Sequence, residues 1–159
     1  MKFLFIVEDC FGKSFFSKFF HKKLSEGFFS GSLVNVLSRI PGPKINRLIG
    51  TNMENVDRII IIADADGRNL EEKKQNVLSF VKSEYVGHVQ VVLLDHEIEE
   101  WICYSEGIKF GDQKPSKVLK YSKNYKKSQL PRYADKLDCK TLQNHPSFMR
   151  LVSSLKSHS

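Results

Sequence analysis

The sequence lacks any long hydrophobic run. Its longest apolar runs, Phe3 to Val7 and Ile59 to Ala63, are far shorter than the roughly 18 residues that span a bilayer. Only five apolar residues lie between Lys2 and Glu8, which is too few for a signal-peptide core of roughly 7 to 15 residues. We therefore expect a cytoplasmic protein with no membrane-spanning helix.

Cysteine is also scarce. The three cysteines, Cys10, Cys103 and Cys139, are an odd number, and none lies in a Cys-x-x-Cys pair. The sequence therefore predicts neither a disulfide framework nor a thiolate zinc site, but reduced and partly buried thiols. Repeats and low-complexity linkers are missing as well, and 159 residues are typical of one domain. We expect a single domain over residues 1–159.

The positive charge is confined to one part of the chain. Nine lysines and Arg132 lie between Lys109 and Lys140 against three aspartates, and this stretch carries the whole net charge of +7. A basic surface on an otherwise neutral body favours binding to a polyanion such as nucleic acid, because each neutralised phosphate releases counterions. A solvated lysine face with no partner is the other interpretation.

Strand and helix patterns alternate along the first part of the chain, which predicts an α/β fold. Short β-rich runs predict four strands, at residues 2–7, 32–37, 58–63 and 89–94. Helical spacing predicts a phenylalanine-lined helix after the first strand, a short helix at 45–49 and a longer one at 70–84. We expect a mainly parallel four-stranded sheet flanked by helices at 1–108.

The remainder, 109–159, reads as a basic helical extension with no strand. Helical fragments are expected at 115–121 and 130–137, and in a last helix with Pro146 in its first turn. The phenylalanines of the first helix and the single tryptophan, Trp101, have the spacing and size of core residues. A base-stacking role for Trp101 is the less favoured interpretation.

Carboxylates follow three of the predicted strands. Glu8 follows the first strand, Asp64 and Asp66 follow the third, and Glu97 and Glu99 follow the fourth. The carboxyl ends of parallel strands lie along one edge of a sheet, where ligand sites form. Carboxylates that converge there repel one another unless a cation lies between them. Oxygen ligands favour Mg²⁺, or Mn²⁺ as a substitute, and such an ion could promote phosphoryl chemistry.

Other interpretations of these acids remain open. Each could be a helix N-cap or a solvated loop residue. A phosphorylated receiver domain also begins with a strand and paired acids, but Leu94-Asp95-His96 supplies no hydroxyl residue at the later strand end. A haloacid-dehalogenase-type phosphatase has an Asp-x-Asp motif after its first strand, whereas Asp64 and Asp66 follow a later strand here. We favour the metal-site interpretation over both.

The ordered acids resemble the Toprim fold of topoisomerases, primases, overcoming-lysogenisation-defect nucleases and ribosomal RNA maturation nucleases. Glu8 matches the family's glutamate after the first strand, and Asp64 and Asp66 match its Asp-x-Asp. The downstream stretch 96–102, Pro115-Ser116-Lys117 and Pro146 to Phe148 are similar to small stand-alone Toprim-like proteins, some of which occur in phage-defence or mobile-element settings. The chain departs from the family at Asp9, where glycine is usual and permits close backbone approach to a phosphate.

The resemblance implies roles for these acids. Glu8 would act as general acid/base or metal ligand, and Asp64 and Asp66 would bind Mg²⁺. Glu99 would be the next ligand, ahead of Glu97, because a Glu-x-Trp spacing is typical of the small Toprim-like group. The expected activity is Mg²⁺-dependent hydrolysis of DNA or RNA.

The basic residues complete the hypothesis. Those expected to contact nucleic acid are Lys13, Arg68, Lys117, Lys120, Lys123, Lys126, Lys127 and Arg132. A binding or regulatory module that kept the fold without turnover is the alternative function. Nucleic acid is the expected partner, a membrane is not, and a homodimer is left open.

Overall fold

The four strands form one parallel sheet, and helices cover both of its faces. We describe a computed structural model of residues 1–27, 29–39 and 42–156. The strands are β1 (Lys2–Val7), β2 (Ser32–Ser38), β3 (Arg58–Asp64) and β4 (Val89–Leu94). Their order across the sheet is β2-β1-β3-β4, and every neighbouring pair is parallel. The expected α/β class with a parallel four-stranded sheet is confirmed.

Seven α-helices connect and cover the strands within the described residues. Their bounds are α1 (Cys10–Ser25), α2 (Ile45–Asn52), α3 (Leu70–Ser79), α4 (Glu99–Glu106), α5 (Pro115–Lys123), α6 (Cys139–Leu142) and α7 (Pro146–Leu155). Two 3₁₀ segments, Ser83–His88 and Lys127–Ala134, lie between them. No helix in this part of the chain is both long and apolar enough to cross a membrane.

Alternation along the central strands divides the core into two layers. Phe3 and Phe5 of β1 point into one layer with the phenylalanines of α1, while Leu4 and Ile6 point into the other with α2 and α3. The isoleucines of β3 divide in the same way. Successive side chains of a strand point to opposite faces, so a continuous apolar run suits a sheet that is covered on both sides.

The predicted helix at 70–84 is wrong in its last third, residues 80–84. Helix α3 ends at Ser79, because the Asn46 side chain bonds to backbone groups that a longer helix would pair within itself. The Asn46 side chain donates to the carbonyl of Phe80 at 2.9 Å and accepts from the N–H of Lys82 at 2.8 Å. A 3₁₀ segment then leads into β4. No local sequence signal marks this end, because the side chain responsible lies on α2.

The basic extension is helical only in part. Helix α5 and Pro146 at the start of α7 match their predictions, and no described residue after β4 forms a strand. The helix predicted at 130–137 is instead the 3₁₀ segment Lys127–Ala134. Pro131 lies inside this segment and has no N–H to donate, which opposes an α-helix there.

Trp101 on α4 anchors the larger core layer. It is fully buried, and four phenylalanine rings lie with their centroids 5.3 to 6.3 Å from it. Its indole N–H donates to the hydroxyl of Ser147 at 2.8 Å. Both the apolar ring and its polar atom are thus satisfied inside the protein. The predicted core role of Trp101 is confirmed.

We predict that Trp101→Ala lowers the free energy of unfolding by about 3–5 kcal/mol, because it leaves a large cavity among rings that cannot collapse into it. Urea denaturation followed by circular dichroism measures the change. The control is Tyr121→Ala, which removes an aromatic ring that is 77% exposed and should change stability by no more than about 0.5 kcal/mol. Equal effects of the two variants would contradict this role of Trp101.

Candidate metal centre at the carboxyl edge of the sheet

Glu8 and Asp64 meet at the carboxyl edge of the sheet. Glu8 directly follows β1, and Asp64 is the last residue of the neighbouring strand β3. A carboxylate oxygen of Glu8 accepts a hydrogen bond from the backbone N–H of Asp64 at 3.3 Å. The structure therefore brings together two of the predicted site residues that are 56 positions apart in the chain.

Asp9, where the chain departs from the Toprim pattern, caps the helix that follows. Its carboxylate accepts from the backbone N–H of Gly12 at 2.7 Å, at the start of α1. The backbone at Asp9 is extended, with φ −138°, so this position has no conformational need for glycine. Asp9 thus acts as an N-cap, the role in which aspartate stabilises helices.

The surroundings of Glu8 and Asp64 disfavour a negative charge on either carboxyl group. Burial, and then the charge of Glu8, raises the pKa of Asp64 to about 8, although Lys127 opposes the rise. Burial also raises the pKa of Glu8, against the opposing effects of its hydrogen bond from Asp64 and the charge of Lys73. A cation bound between these groups would remove the repulsion.

Asp66 lies on an exposed loop just beyond Asp64. Its φ is +52°, a left-handed conformation that aspartate adopts more readily than most residues. The loop is held by backbone bonds from Ala65, Asp66 and Gly67 to the carbonyls of residues 94, 96 and 95, respectively. The Asp66 carboxylate lies 3.8 Å from the ammonium of Lys114. An exposed carboxylate with a left-handed backbone beside the half-buried Glu8 and Asp64 is typical of functional sites.

Glu99 faces Lys127. Its carboxylate is fully buried and accepts from the Lys127 ammonium at 2.9 and 3.0 Å and from the Tyr125 hydroxyl at 3.1 Å. Burial raises the pKa of Glu99, and the neighbouring Lys127 opposes this. Glu99 could serve as a metal ligand only if Lys127 moved away. The structure thus places Lys127 inside the acidic site, where it is half-buried.

Glu97 has a different partner. Its carboxylate accepts from the backbone N–H of Ser116 at 2.8 Å, at the first turn of α5. This contact caps α5 and joins the end of β4 to the basic extension. A carboxylate at a helix N-terminus is favoured by the helix dipole, which gives Glu97 a structural role without any metal.

The sequence did not single out a second cluster, formed by Asp95, Glu100 and His145. One potential ligand atom from each of these side chains lies within 4.8 Å of the others, so the three could hold a metal ion. Glu100 is fully buried and His145 is 8% exposed. Asp95 and His145 are 50 positions apart, and helix α7 brings them together by lying against β4. Only the strand end at Asp95 was visible as a local signal.

The remaining predicted basic residues are exposed. Lys127 is the exception, and Lys123 pairs with Glu106. The exposed members are Lys13, Arg68, Lys117, Lys120, Lys123, Lys126 and Arg132. The sequence interpretation missed Arg39 and Lys44, which line a groove of about 520 Å³ beside Glu8. These two cations matter because they lie next to the acids, and no spacing in the sequence predicts that position.

Two cavities are candidates for the functional site. A small cavity of about 20 Å³ lies among residues that include Glu8, Asp64 and Lys127, which is room for one water or ion. A larger cavity, about 810 Å³, lies along β4 between α3 and α7. We regard the small one as the candidate site, because the chemically reactive groups line it.

We predict that the metal-free protein becomes less stable as pH rises from about 4 to 8. Asp64 binds its proton more tightly when folded than when unfolded, so the folded state loses this advantage as pH passes through its raised pKa of about 8. Asp64→Asn removes that loss and should raise Tm at pH 8.5 by at least about 2 °C, the shift expected for 1 kcal/mol in a domain of this size. Differential scanning calorimetry in chelator checks it. A pH dependence of Tm in the Asp64→Asn variant as steep as in the wild type would contradict it.

Comparison of the chain with protein-family models, with curated proteins and with solved structures finds no match. What the site can do therefore follows from its own side chains. These are two half-buried carboxyl groups whose charges repel each other, a third carboxylate on a loop with a left-handed backbone, and a lysine that reaches into the site from the basic extension.

Proposed function

We propose that the chain binds Mg²⁺, or Mn²⁺ in its place, at Glu8, Asp64 and Asp66 and hydrolyses phosphodiester bonds in nucleic acid. The observation that carries this proposal is the contact between Glu8 and Asp64 at the ends of adjacent parallel strands, with the pKa of Asp64 raised to about 8. Half-buried carboxyl groups whose charges repel each other are stabilised by a cation between them.

The donor set fits a hard cation. Glu8, Asp64 and Asp66 offer only oxygen atoms, the ligands that Mg²⁺ prefers, and no cysteine or histidine is among them. Asp66 is 43% exposed in its side chain, so the site is open to solvent on that side. This suits Mg²⁺, which keeps several of its waters.

The chain's own residues would divide the work. Bound at this site, the ion would neutralise charge on a phosphate and acidify a water. Asp64 and Asp66 would hold it, and Glu8, whose pKa is raised by burial, is suited to exchange a proton during hydrolysis. Lys127, held by Glu99 at 2.9 Å, would place a fixed positive charge beside the reacting phosphate.

The basic extension supports a polymeric substrate. It reaches the acidic edge at two points, through Lys114 beside Asp66 and through Lys127 beside Glu99. The exposed lysines of α5 therefore continue from the site, and the groove with Arg39 and Lys44 begins next to Glu8. Cations on both sides of a metal site fit a phosphate backbone that passes across it.

A Toprim-like fold remains part of this proposal. The positions of Glu8 after β1 and of Asp64 and Asp66 at the end of β3 support it. The sheet class alone does not distinguish Toprim from other parallel α/β folds, which host many functions.

A non-catalytic binding or regulatory module is the second candidate. It is favoured by the two lysines that already face the acids, since Lys127 neutralises Glu99 and Lys114 lies 3.8 Å from Asp66. Such pairs lower the need for a metal. This candidate predicts nucleic-acid binding that falls steeply with salt and is unchanged by Mg²⁺.

The test compares the wild type with the double variant Asp64→Asn/Asp66→Asn on labelled single- and double-stranded DNA and RNA, with Mg²⁺ or Mn²⁺. Asparagine tolerates the left-handed backbone at residue 66, so the variant should fold. Loss of one supporting group at a metal site costs about 10- to 100-fold. We therefore expect loss of two ligands to lower the cleavage rate by at least about 100-fold.

The control variant is Glu54→Gln/Glu84→Gln, which removes the same two charges from exposed positions and should cleave like the wild type. If wild type and double variant are equally inert on every substrate, hydrolysis is rejected. Binding of the same nucleic acids, titrated at several salt concentrations with and without Mg²⁺, then decides whether the second candidate holds.

A further inference from the structure

A buried polar network joins the end of β4 to α4 and α7. The Glu100 carboxylate accepts from the backbone N–H of His96 at 2.6 Å, that of Asp95 at 3.3 Å and the hydroxyl of Ser147 at 2.7 Å. The Ser147 oxygen in turn accepts from the indole N–H of Trp101 and lies 3.1 Å from Nδ1 of His145. Every contact lies on the side of the sheet that carries Trp101.

The protons of this network can be assigned one by one. The Ser147 hydroxyl has a single proton, and the Glu100 carboxylate, which accepts two further N–H bonds, takes it. Ser147 therefore has no proton left for His145, so Nδ1 of His145 must be the donor in that contact. In a neutral imidazole the other nitrogen, Nε2, then carries a lone pair.

Acceptor atoms consequently face one another. Nε2 of His145 lies 3.7 Å from an oxygen of Glu100, and a ligand atom of Asp95 completes a group within 4.8 Å. With Glu100 ionised, no proton of the network lies among them. Converging lone pairs are unfavourable unless a cation occupies the space between them.

We propose that Asp95, Glu100 and His145 bind a borderline divalent transition metal of the Zn²⁺ or Co²⁺ class, at a structural site separate from the carboxylates Glu8, Asp64 and Asp66. This site does not depend on the proposed nuclease activity.

The donor set selects the kind of metal. One imidazole nitrogen with two carboxylate oxygens suits zinc and its neighbours in the transition series, whereas Mg²⁺ and Ca²⁺ prefer oxygen alone. The Nδ1–H bond from His145 to Ser147 is the outer contact that metal-bound histidines characteristically make. Asp95 is one-third exposed in its side chain, which gives an ion a path into the site.

Arg150 orients the Asp95 side chain. Its guanidinium holds one oxygen of Asp95 at 2.6 Å and also donates twice to the carbonyl of Leu93. The second oxygen of Asp95 stays available to a metal. Two carboxylates neutralise one divalent ion, and the guanidinium of Arg150 leaves the occupied site with a single positive charge.

The site would brace the loop that carries Asp66. That loop donates backbone bonds to the carbonyls of residues 94–96, and Asp95 lies in the same short stretch. A metal that ties Asp95 to α4 and α7 would hold the carbonyl row in place. A metal that binds only the folded state raises the free energy of unfolding, and the increase grows with the concentration of the metal.

The experiment uses the full chain with Asp64→Asn/Asp66→Asn as background, stripped with chelator, so that the other proposed site is absent. Calorimetric titration with Zn²⁺, and visible absorption on titration with Co²⁺, should give one bound ion per chain, and titration with Mg²⁺ should give none. Adding His145→Gln should weaken Zn²⁺ binding by at least about 10-fold and abolish the stabilisation by Zn²⁺ seen in thermal melting.

The matched control adds His96→Gln instead, because the His96 ring lies against Phe110 and outside the three ligands; Zn²⁺ binding should then be unchanged. Circular dichroism reports folding, and Asp95→Asn is the second ligand variant if His145→Gln does not fold. The proposal is overturned if the background variant binds neither Zn²⁺ nor Co²⁺, or if the folded ligand variants bind Zn²⁺ as tightly as the background.

Discussion

The ion pair between Glu99 and Lys127 joins the two differently charged parts of the molecule. Glu99 begins α4, is fully buried and carries a charge that would be costly without a partner, while Lys127 comes from the basic extension. Removing one member of such a pair leaves an uncompensated buried charge, which is strongly destabilising. The extension is therefore held against the acidic edge of the sheet. Glu97 makes a second contact with it by capping α5.

From that attachment follows the electrostatic character of the edge. The charges of Glu8 and Asp66 act on Asp64, and the extension supplies two lysines, at 127 and 114, to the same region. The lysines offset part of the negative charge, yet the pKa of Asp64 stays raised to about 8. The clustered negative charge and the left-handed backbone at Asp66 both lower the stability of the fold. Two such unfavourable features at one edge of a sheet are typical of a ligand site.

Local patterns predicted most of the fold. The isoleucine run of β3, the phenylalanine face of α1 and the burial of Trp101 all follow from the need to cover a parallel sheet on both faces. The errors have tertiary causes. Helix α3 ends early because the side chain of Asn46, on another helix, bonds to the backbone just beyond it. No residue near Ser79 predicts that end.

The candidate site was predictable only in outline. The sequence by itself determined that carboxylates follow strands and that the surplus lysines lie in one segment, because strand ends and composition are local properties. Which carboxylates face one another was decided by the tertiary structure. Glu8 bonds to the backbone of Asp64, Glu99 pairs with Lys127, and Glu97 caps a helix. Asp95, Glu100 and His145 come together from distant parts of the chain. Distances between side chains depend on how helices lie on the sheet, and that packing has no signature in the spacing of residues.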